Sequence, residues 1–429
     1  MGERRSVVAG LGLRAVGAPV VALLGVVSTT IVVRHTDTQA FGVVSTIAAI
    51  ALLLPFADLG IGAAVTTATT RWTDGAMSTS RFRQTLTRAL SVLSVVTVVI
   101  WIAAGAAWAT DAWAFLFDGA VDQTESAPLS IAVAVFGLAV PLGIGNRLLT
   151  GMGKNHVAVG ITLSASVFTL AGTSVLAVAG ADDLVFAIPP VAGLAASAAV
   201  SMIVGVRTVT RMKPQRGTAA DPVENPRLLA GSTAMFVISV GLPIGLQWGR
   251  LVVARNGDAG QLAAYGLAAQ FYAIGWTVVS TAGSAMWPVF VRRRGAAGAT
   301  LLLWRRSLAL FATAGAVLGA LLAAAAPLAG EVISGGSIAI PPSLSIMYGL
   351  LLVVQSAHLP TGSLLTTPDE LRWQALCVVC MALMSAVLTI ALVPYTGAAG
   401  AVAASAVAVL VAQVIPDLVV VRSKVSARK

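Results

Sequence analysis

Apolar residues in this chain gather into blocks of roughly 20, separated by short polar stretches. They show neither the alternation of a half-buried strand nor the single stripe of a surface helix. About 20 apolar residues in an α-helix cross the hydrocarbon of a bilayer, and a helix satisfies its own backbone there. Twelve spans are predicted, over 11–33, 39–68, 88–110, 127–149, 157–180, 185–206, 228–253, 261–291, 307–329, 343–366, 374–394 and 399–421. The predicted class is an all-α, polytopic membrane protein.

The longest polar interruption, RTVTRMKPQRGTAADPVENPR at 207–227, holds Pro214, Pro222 and Pro226 with mixed charge. Such a segment reads as a linker. It divides the chain into a six-helix lobe at 1–213, a linker at 214–227 and a second six-helix lobe at 228–429. The lobes look related, since a constant offset of 224 pairs Gly17 with Gly241, Pro19 with Pro243, Gly25 with Gly249, Phe41 with Tyr265 and Gly42 with Gly266. Six spans per half give both halves one orientation, an arrangement common in secondary transporters. Pro19 and Pro243 each sit within the first helix of their half, where a proline bends the helix and frees a carbonyl. They are candidate hinges or static kinks. Gly241, Gly245 and Gly249 lie four apart, a spacing that permits close backbone packing.

Charge changes the picture by its placement. Hydrophobic residues make up 57% of the chain and charged residues 10%, with a net charge of +10. With Met1 inside, arginines and lysines crowd the inner loops, as at Arg81, Arg83 and Arg88, at Arg207, Arg211 and Lys213, and at Arg292, Arg293 and Arg294. The outer loops carry Asp111, Asp118, Asp122, Glu125, Asp182, Asp183 and Glu331 instead. That asymmetry is the positive-inside pattern, so the basic excess reports orientation and implies no nucleic acid. Both termini are expected in the cytoplasm, in a cytoplasmic membrane. The basic start resembles a secretory signal, but its apolar block is too long and leads directly into another span, so an uncleaved helix is expected. Cys377 and Cys380 share one apolar span without further ligands nearby and read as packing residues.

No phosphate-binding G-x-x-x-x-G-K-[ST] motif occurs, and Gly151-Met152-Gly153-Lys154-Asn155 lacks its spacing and hydroxyl. His35, His156 and His358 are scattered without metal or triad spacing. No cofactor or metal is expected, and the short outer loops leave no room for a catalytic domain. An enzyme is the minority reading.

The remaining candidates are polar residues inside apolar spans. In FGVVSTIAAIALLLPFADLGIGAAVTTATTR, residues 41–71, Asp58 stands two-thirds of the way along beside Gly60 and Gly62. A carboxylate in hydrocarbon costs about 3 kcal/mol, so it either faces a cavity or partner or lies near the headgroups and ends the helix. The glycines add a point where the helix can bend, and Asp58 beside them is expected to link transport to an ion gradient or to helix closure. Asn146 and Arg147 lie near the inner end of span four, and Gln247 and Arg250 share one face of span seven, with Gln270 in span eight. Gln355 and His358 lie in span ten, and Gln413 and Asp417 in span twelve. Arg14, Arg147 and Arg250 either snorkel to the interface or line a cavity. A surplus of deep arginine over deep carboxylate favours an anionic cargo such as a phosphate.

Phe41-Gly42, ADLGIGAAV ahead of a basic exit, and PLGIGNRLLTGMGK at the end of span four resemble the polysaccharide-exporter (Wzx-type) flippases of the multidrug/oligosaccharidyl-lipid/polysaccharide exporter superfamily. The resemblance extends over the whole chain in span count, orientation and two-half layout. It implies a V-shaped bundle of two lobes around a central cavity, moving a polyprenyl-pyrophosphate-linked oligosaccharide to the outer leaflet by alternating access. Membrane lipids, a polysaccharide polymerase and glycosyltransferases are the partners it implies. By position, Asp58, Gly60 and Gly62 match the span-two motif, while Arg14 and Arg250 are candidates by depth alone. The offset of 224 lands on Ala282 opposite Asp58, so the second half has no equivalent carboxylate there. A multidrug or organic-cation antiporter of the same superfamily and a membrane scaffold for glycan enzymes are the alternatives.

The charge pattern generates a topology prediction. Single cysteines at Ser78, Thr218 and Thr124, in a background lacking Cys377 and Cys380, should give external maleimide labelling at 124 only. Labelling of the first two in intact cells, with position 124 protected, contradicts the orientation.

Overall fold

The computed structural model describes residues 2–58, 60–119, 121–212, 226–284, 286–293 and 296–426; side chains at 2–16, 18, 55, 56, 226–232, 284, 287, 288 and 291 are outside the description. The predicted linker 214–227 therefore lies almost wholly outside the described residues. The chain divides into two compact units, one of Met1–Thr36 with Val44–Glu224, the other of Asp37–Val43 with Asn225–Lys429. The short segment Asp37–Val43 packs with the second unit although it precedes most of the first. There Gly42 abuts Leu262 and the backbone of Ala263, and the Thr38 hydroxyl donates to the Ser337 carbonyl at 3.4 Å.

Among the described residues, nine helices are long and apolar enough to cross a membrane, and two shorter apolar helices cover Pro19–His35 and Thr38–Leu53. The last of the nine, Pro368–Ser426, is a pair of spans folded back at Gly397, whose φ of 58° and ψ of −143° break the helix. Among the described residues these apolar helices fall at the positions of the expected spans. Ser385 meets Ser405 at 3.2 Å and Trp373 meets Asp417, so residues equidistant from position 395 face each other along an antiparallel hairpin.

The packing is inverted relative to a water-soluble bundle. Along span three (Thr79–Ala109), Val92, Val95, Val99 and Ile102 are exposed on one face, while Leu93, Thr97 and Ala104 are buried on another. The outward face is as apolar as lipid, so close contact and interior hydrogen bonds, rather than hydrophobicity, distinguish the inward one. Thr97 accordingly donates to the Gly137 carbonyl of span four at 2.9 Å. In the second unit Gly319 of span nine and Gly349 of span ten cross so closely that a Cβ on either would lie 2.6 Å from the other's carbonyl oxygen. The Gly241, Gly245 and Gly249 stripe of span seven (Pro226–Asn256) meets Val378, Met381 and Ala401 of the hairpin, as its spacing predicts.

Span two departs from a single helix. Thr38–Ala48 is α-helical, Ala49–Leu53 tightens to a 3-10 turn, Leu54–Ala57 adds one turn, and Ile61–Thr73 restarts the helix. The proline at position 55 supplies no backbone donor. Gly60 then takes a left-handed conformation, φ 79°, which an L side chain resists. Pro19 and Pro243, by contrast, lie within uninterrupted helices Gly2–His35 and Pro226–Asn256.

Gly397 is the most testable backbone position. A Cβ there would strain the backbone and collide with Gln261 Oε1, an oxygen that accepts from the Ala398 amide. Gly397→Ala should destabilise the protein by about 1–3 kcal/mol, read as a lower unfolding temperature in detergent. Gly298→Ala, at an open helical position, should leave that temperature unchanged.

Candidate functional site

In the first unit the break in span two positions a charge. Asp58 ends the short turn Leu54–Ala57, its Oδ1 accepts the Gly60 amide at 3.0 Å, and its carbonyl accepts the Ile61 amide at 2.8 Å. The carboxylate therefore closes a local turn onto Gly60, the residue that precedes the restarting helix, near the end where the helix dipole favours a negative group. Its other oxygen, Oδ2, receives Arg147 Nη2 at 2.7 Å and Nε at 3.2 Å. The Asp58 side chain is 15% exposed and that of Arg147 41%. A Cβ on Gly62 would collide with both Asp58 Oδ2 and Arg147 Nε, so the glycine leaves the room that the ion pair fills.

Arg147 arrives from span four, where Gly143 separates Ala127–Leu142 from Ile144–Gly151. The second helix is held tightly. Gly145 lies against the backbone of Ser201 and Met202, and the Gly151 carbonyl accepts from Thr70 at 3.0 Å. Neighbouring Asn146 donates to Thr162 Oγ1 at 3.0 Å, bracing span four against span five. Two residues predicted as cavity ligands, Asn146 and Arg147, thus engage partners within the unit, and Asp58, Gly60, Gly62 and Arg147 form one assembly.

In the second unit Arg250 is 6% exposed, and its guanidinium lies 5.2 Å from the centre of the Tyr265 ring. Tyr265 meets Tyr348 edge-on at 5.6 Å, and Tyr348 meets Tyr272 at 5.4 Å. Tyr272 donates to Gln355 Oε1. One turn further along span ten (Pro342–Leu364), His358 approaches Asp417. A continuous polar and aromatic column therefore joins Arg250 to Gln355. Gln247 and Gln270 are half-buried in spans seven and eight. The side chain of Arg14 lies outside the described residues.

Three of the chain's four tyrosines meet in this column, a gathering that residue-by-residue reading misses. The usable signal was their scarcity, with the i, i+7 spacing of Tyr265 and Tyr272 on one helix face. Among the described residues no group of three or more histidine, cysteine or acidic side chains is placed to hold a metal ion.

A family model described as "Polysaccharide biosynthesis protein" matches residues 7–293. No curated protein matches the sequence. Solved structures share the fold across nearly the whole chain. The lipid II flippase MurJ, inward closed, superposes with a TM-score of 0.66 at 13% identity, over 96% of this chain and 90% of that one. An inward-facing multidrug resistance transporter of the MATE family in the MOP superfamily gives 0.64 at 16%, over 95% of each chain. A MOP superfamily transporter from Pyrococcus furiosus, whose reversed pocket polarity is reported to suggest a different function, gives 0.66 at 16%, over 99% and 96%. At such identities the likeness establishes the fold alone.

The Asp58–Arg147 assembly predicts a specific pattern of rescue. Asp58→Ala or Arg147→Ala should each cost about 1–3 kcal/mol, less than a fully buried pair because Arg147 is partly exposed. The double replacement should cost less than the two singles combined, and Gly62→Ala should mimic loss of the pair. Unfolding temperatures in one detergent measure all four; additive losses would show that the contact contributes nothing.

Proposed function

The chain belongs to the polysaccharide biosynthesis protein family and has the fold of the MOP superfamily transporters, and from that premise we propose that it is a flippase. The proposed substrate is a polyprenyl-pyrophosphate-linked oligosaccharide, carried across the cytoplasmic membrane by alternating access during cell-surface polysaccharide assembly. Both termini face the cytoplasm in this reading. A polysaccharide polymerase and glycosyltransferases are its expected partners.

The observation that carries the proposal is Arg250, a guanidinium kept among aromatic rings at 6% exposure. Arginine stays charged in any such setting, and in low dielectric its attraction for a multivalent anion grows. A pyrophosphate suits it, whereas an organic cation would be repelled. The organic-cation antiporter reading further requires an available cavity carboxylate, and Asp58 is already matched by Arg147. A scaffold that only recruits enzymes through basic loops gives no reason to bury a charge in span seven. Gln247, one turn from Arg250, and Gln270 supply amides suited to sugar hydroxyls. Asp58 and Arg147 act in this scheme as a gate whose contact holds the break in span two.

Replacing Arg250 by Gln should lower flipping of a fluorescent lipid-linked oligosaccharide in proteoliposomes by about tenfold or more, as expected for a lost charged contact of about 2 kcal/mol. Arg250→Lys should recover part of it, and Arg14→Gln should add to the loss. Full activity of the doubly replaced protein at normal abundance would sink the anion-binding role.

A further inference from the structure

The second unit contains a buried acid–base pair that binding an anion at Arg250 does not use. Asp417 begins the closing helix Ile415–Ser426, directly after the π-helical turn Leu410–Val414. A π turn inserts one residue and rotates the rest of the helix by about 100°. Asp417, Val421 and Val425 thereby share the inward face, and Asp417 is 1% exposed. Its Oδ1 accepts Trp373 Nε1 at 2.9 Å. Its Oδ2 lies 3.4 Å from His358 Nδ1, and neither atom completes a hydrogen bond. A cluster of Phe290, Trp304, Leu364, Leu365, Val421 and Val425 packs around the same end of the unit.

The surroundings add little charge. Cys377 of the same hairpin is close enough to interact electrostatically with Asp417, and Cys380 with Cys377. Lys424 Nζ lies 5.8 Å from the centre of the Trp373 ring. Glu370 is spent on the Thr367 amide, and Arg372 on Asp369. Arg292, Arg293, Arg305, Arg306 and Arg422 of the adjoining elements are exposed.

Asp58 and Asp417 are therefore matched differently. Arg147 places a guanidinium on Asp58, whereas Asp417 faces a histidine. Histidine gains and loses its proton near neutrality. Without a proton the His358–Asp417 pair has a charge of −1; with one it is neutral, whichever residue holds it. A second proton would leave an unmatched cation in apolar packing, which opposes its uptake. The open 3.4 Å gap is the contact that one proton would close.

We propose that His358 and Asp417 form the proton site of this transporter, taking up a single proton from water and returning it to water at the opposite stage of the cycle. The contact ties span ten to the hairpin of spans eleven and twelve in one protonation state and loosens it in the other. A proton crossing the membrane potential gains about 2.3 kcal/mol per 100 mV, enough to bias two states separated by a few kcal/mol. The inference rests on the transporter reading but not on the identity of the cargo.

The site is tested first without transport. In full-length protein in nanodiscs, with His35 and His156 replaced by Gln, isotope-labelled His358 is the sole histidine. The imidazole resonances of His358 and the carboxyl resonance of labelled Asp417 should report a single protonation step of the pair, and Asp417→Asn should move the imidazole midpoint by about one pH unit or more. Trp373→Phe, which removes the other contact of Asp417 but neither titrating group, should keep the titration. Imidazole and carboxyl resonances that both stay constant with pH, or an imidazole midpoint unmoved by Asp417→Asn, overturn the proposal. Transport is the second arm. An imposed proton gradient should accelerate oligosaccharide flipping by the parent, but not by His358→Gln or Asp417→Asn. His358→Gln carries this arm alone if Asp417→Asn does not fold, and its retaining the parent's response overturns the proposal. Absence of flipping by the parent would count against the cargo reading, leaving the titration to decide the site.

Discussion

A charge placed among apolar helices has to be matched, and much of the first unit is a consequence of how Asp58 meets that requirement. Its carboxylate has two oxygens to satisfy. One accepts the Gly60 amide, closing the turn from which the helix restarts at Ile61. The other takes Arg147, which obliges span four to present its inner end at the same depth and Gly62 to carry no side chain. The broken helix, the two glycines and the placement of Arg147 thus all answer to one ion pair. Breaking such a pair is worse than never having it, because the survivor is left charged in a poor solvent. A contact of this kind holds or releases a helix break as a unit and is poorly suited to intermediate positions.

The second unit meets the same constraint with other chemistry. Arg250 lies over the face of Tyr265, where the ring quadrupole attracts the guanidinium. Asp417 is given an indole donor and a histidine in place of a cation. In the proposed scheme the first arrangement supplies the positive group that an anion would meet. The second leaves the net charge of the site open to change. Each unit therefore holds charge among its helices.

The spans were legible in the sequence because hydrocarbon imposes a length and a composition that can be counted. The fold-back at Gly397 fell within the gap predicted between spans eleven and twelve, and the bend in span two fell at its glycines. Partnerships were not legible. Asp58 and Arg147 are 89 residues apart, and Trp373 and Asp417 are 44 apart. Nothing local at either end encodes the other, since both distances are set by helix crossings. Arg147 read first as a snorkelling residue and only second as a cavity ligand, because depth alone does not name a partner. The division into lobes also missed Asp37–Val43, which docks in the second unit although the linear sequence places it in the first. The π turn before Asp417 was hidden as well: LVAQV is an ordinary helical sequence, and its rotation is visible only in coordinates.

The two units share a local pattern that shows where they diverge. Leu148-Leu149-Thr150 closes span four, and Leu364-Leu365-Thr366 closes span ten, with both leucine pairs buried. The residue before the pattern is Arg147 in the first unit and Ser363 in the second. Arg147 reaches across to Asp58 of span two; Ser363 donates to the Gly283 carbonyl of span eight at 3.5 Å. A neutral contact thus stands in the second unit where the first has an ion pair, in keeping with Ala282 at the position offset from Asp58. Relieved of a charge there, the second unit accommodates its buried carboxylate on span twelve, opposite a residue able to change its own charge. Duplication of a helix framework need not duplicate its electrostatics. Here one unit holds a fixed pair that braces a helix break, and the other holds a titratable pair at the junction of three spans.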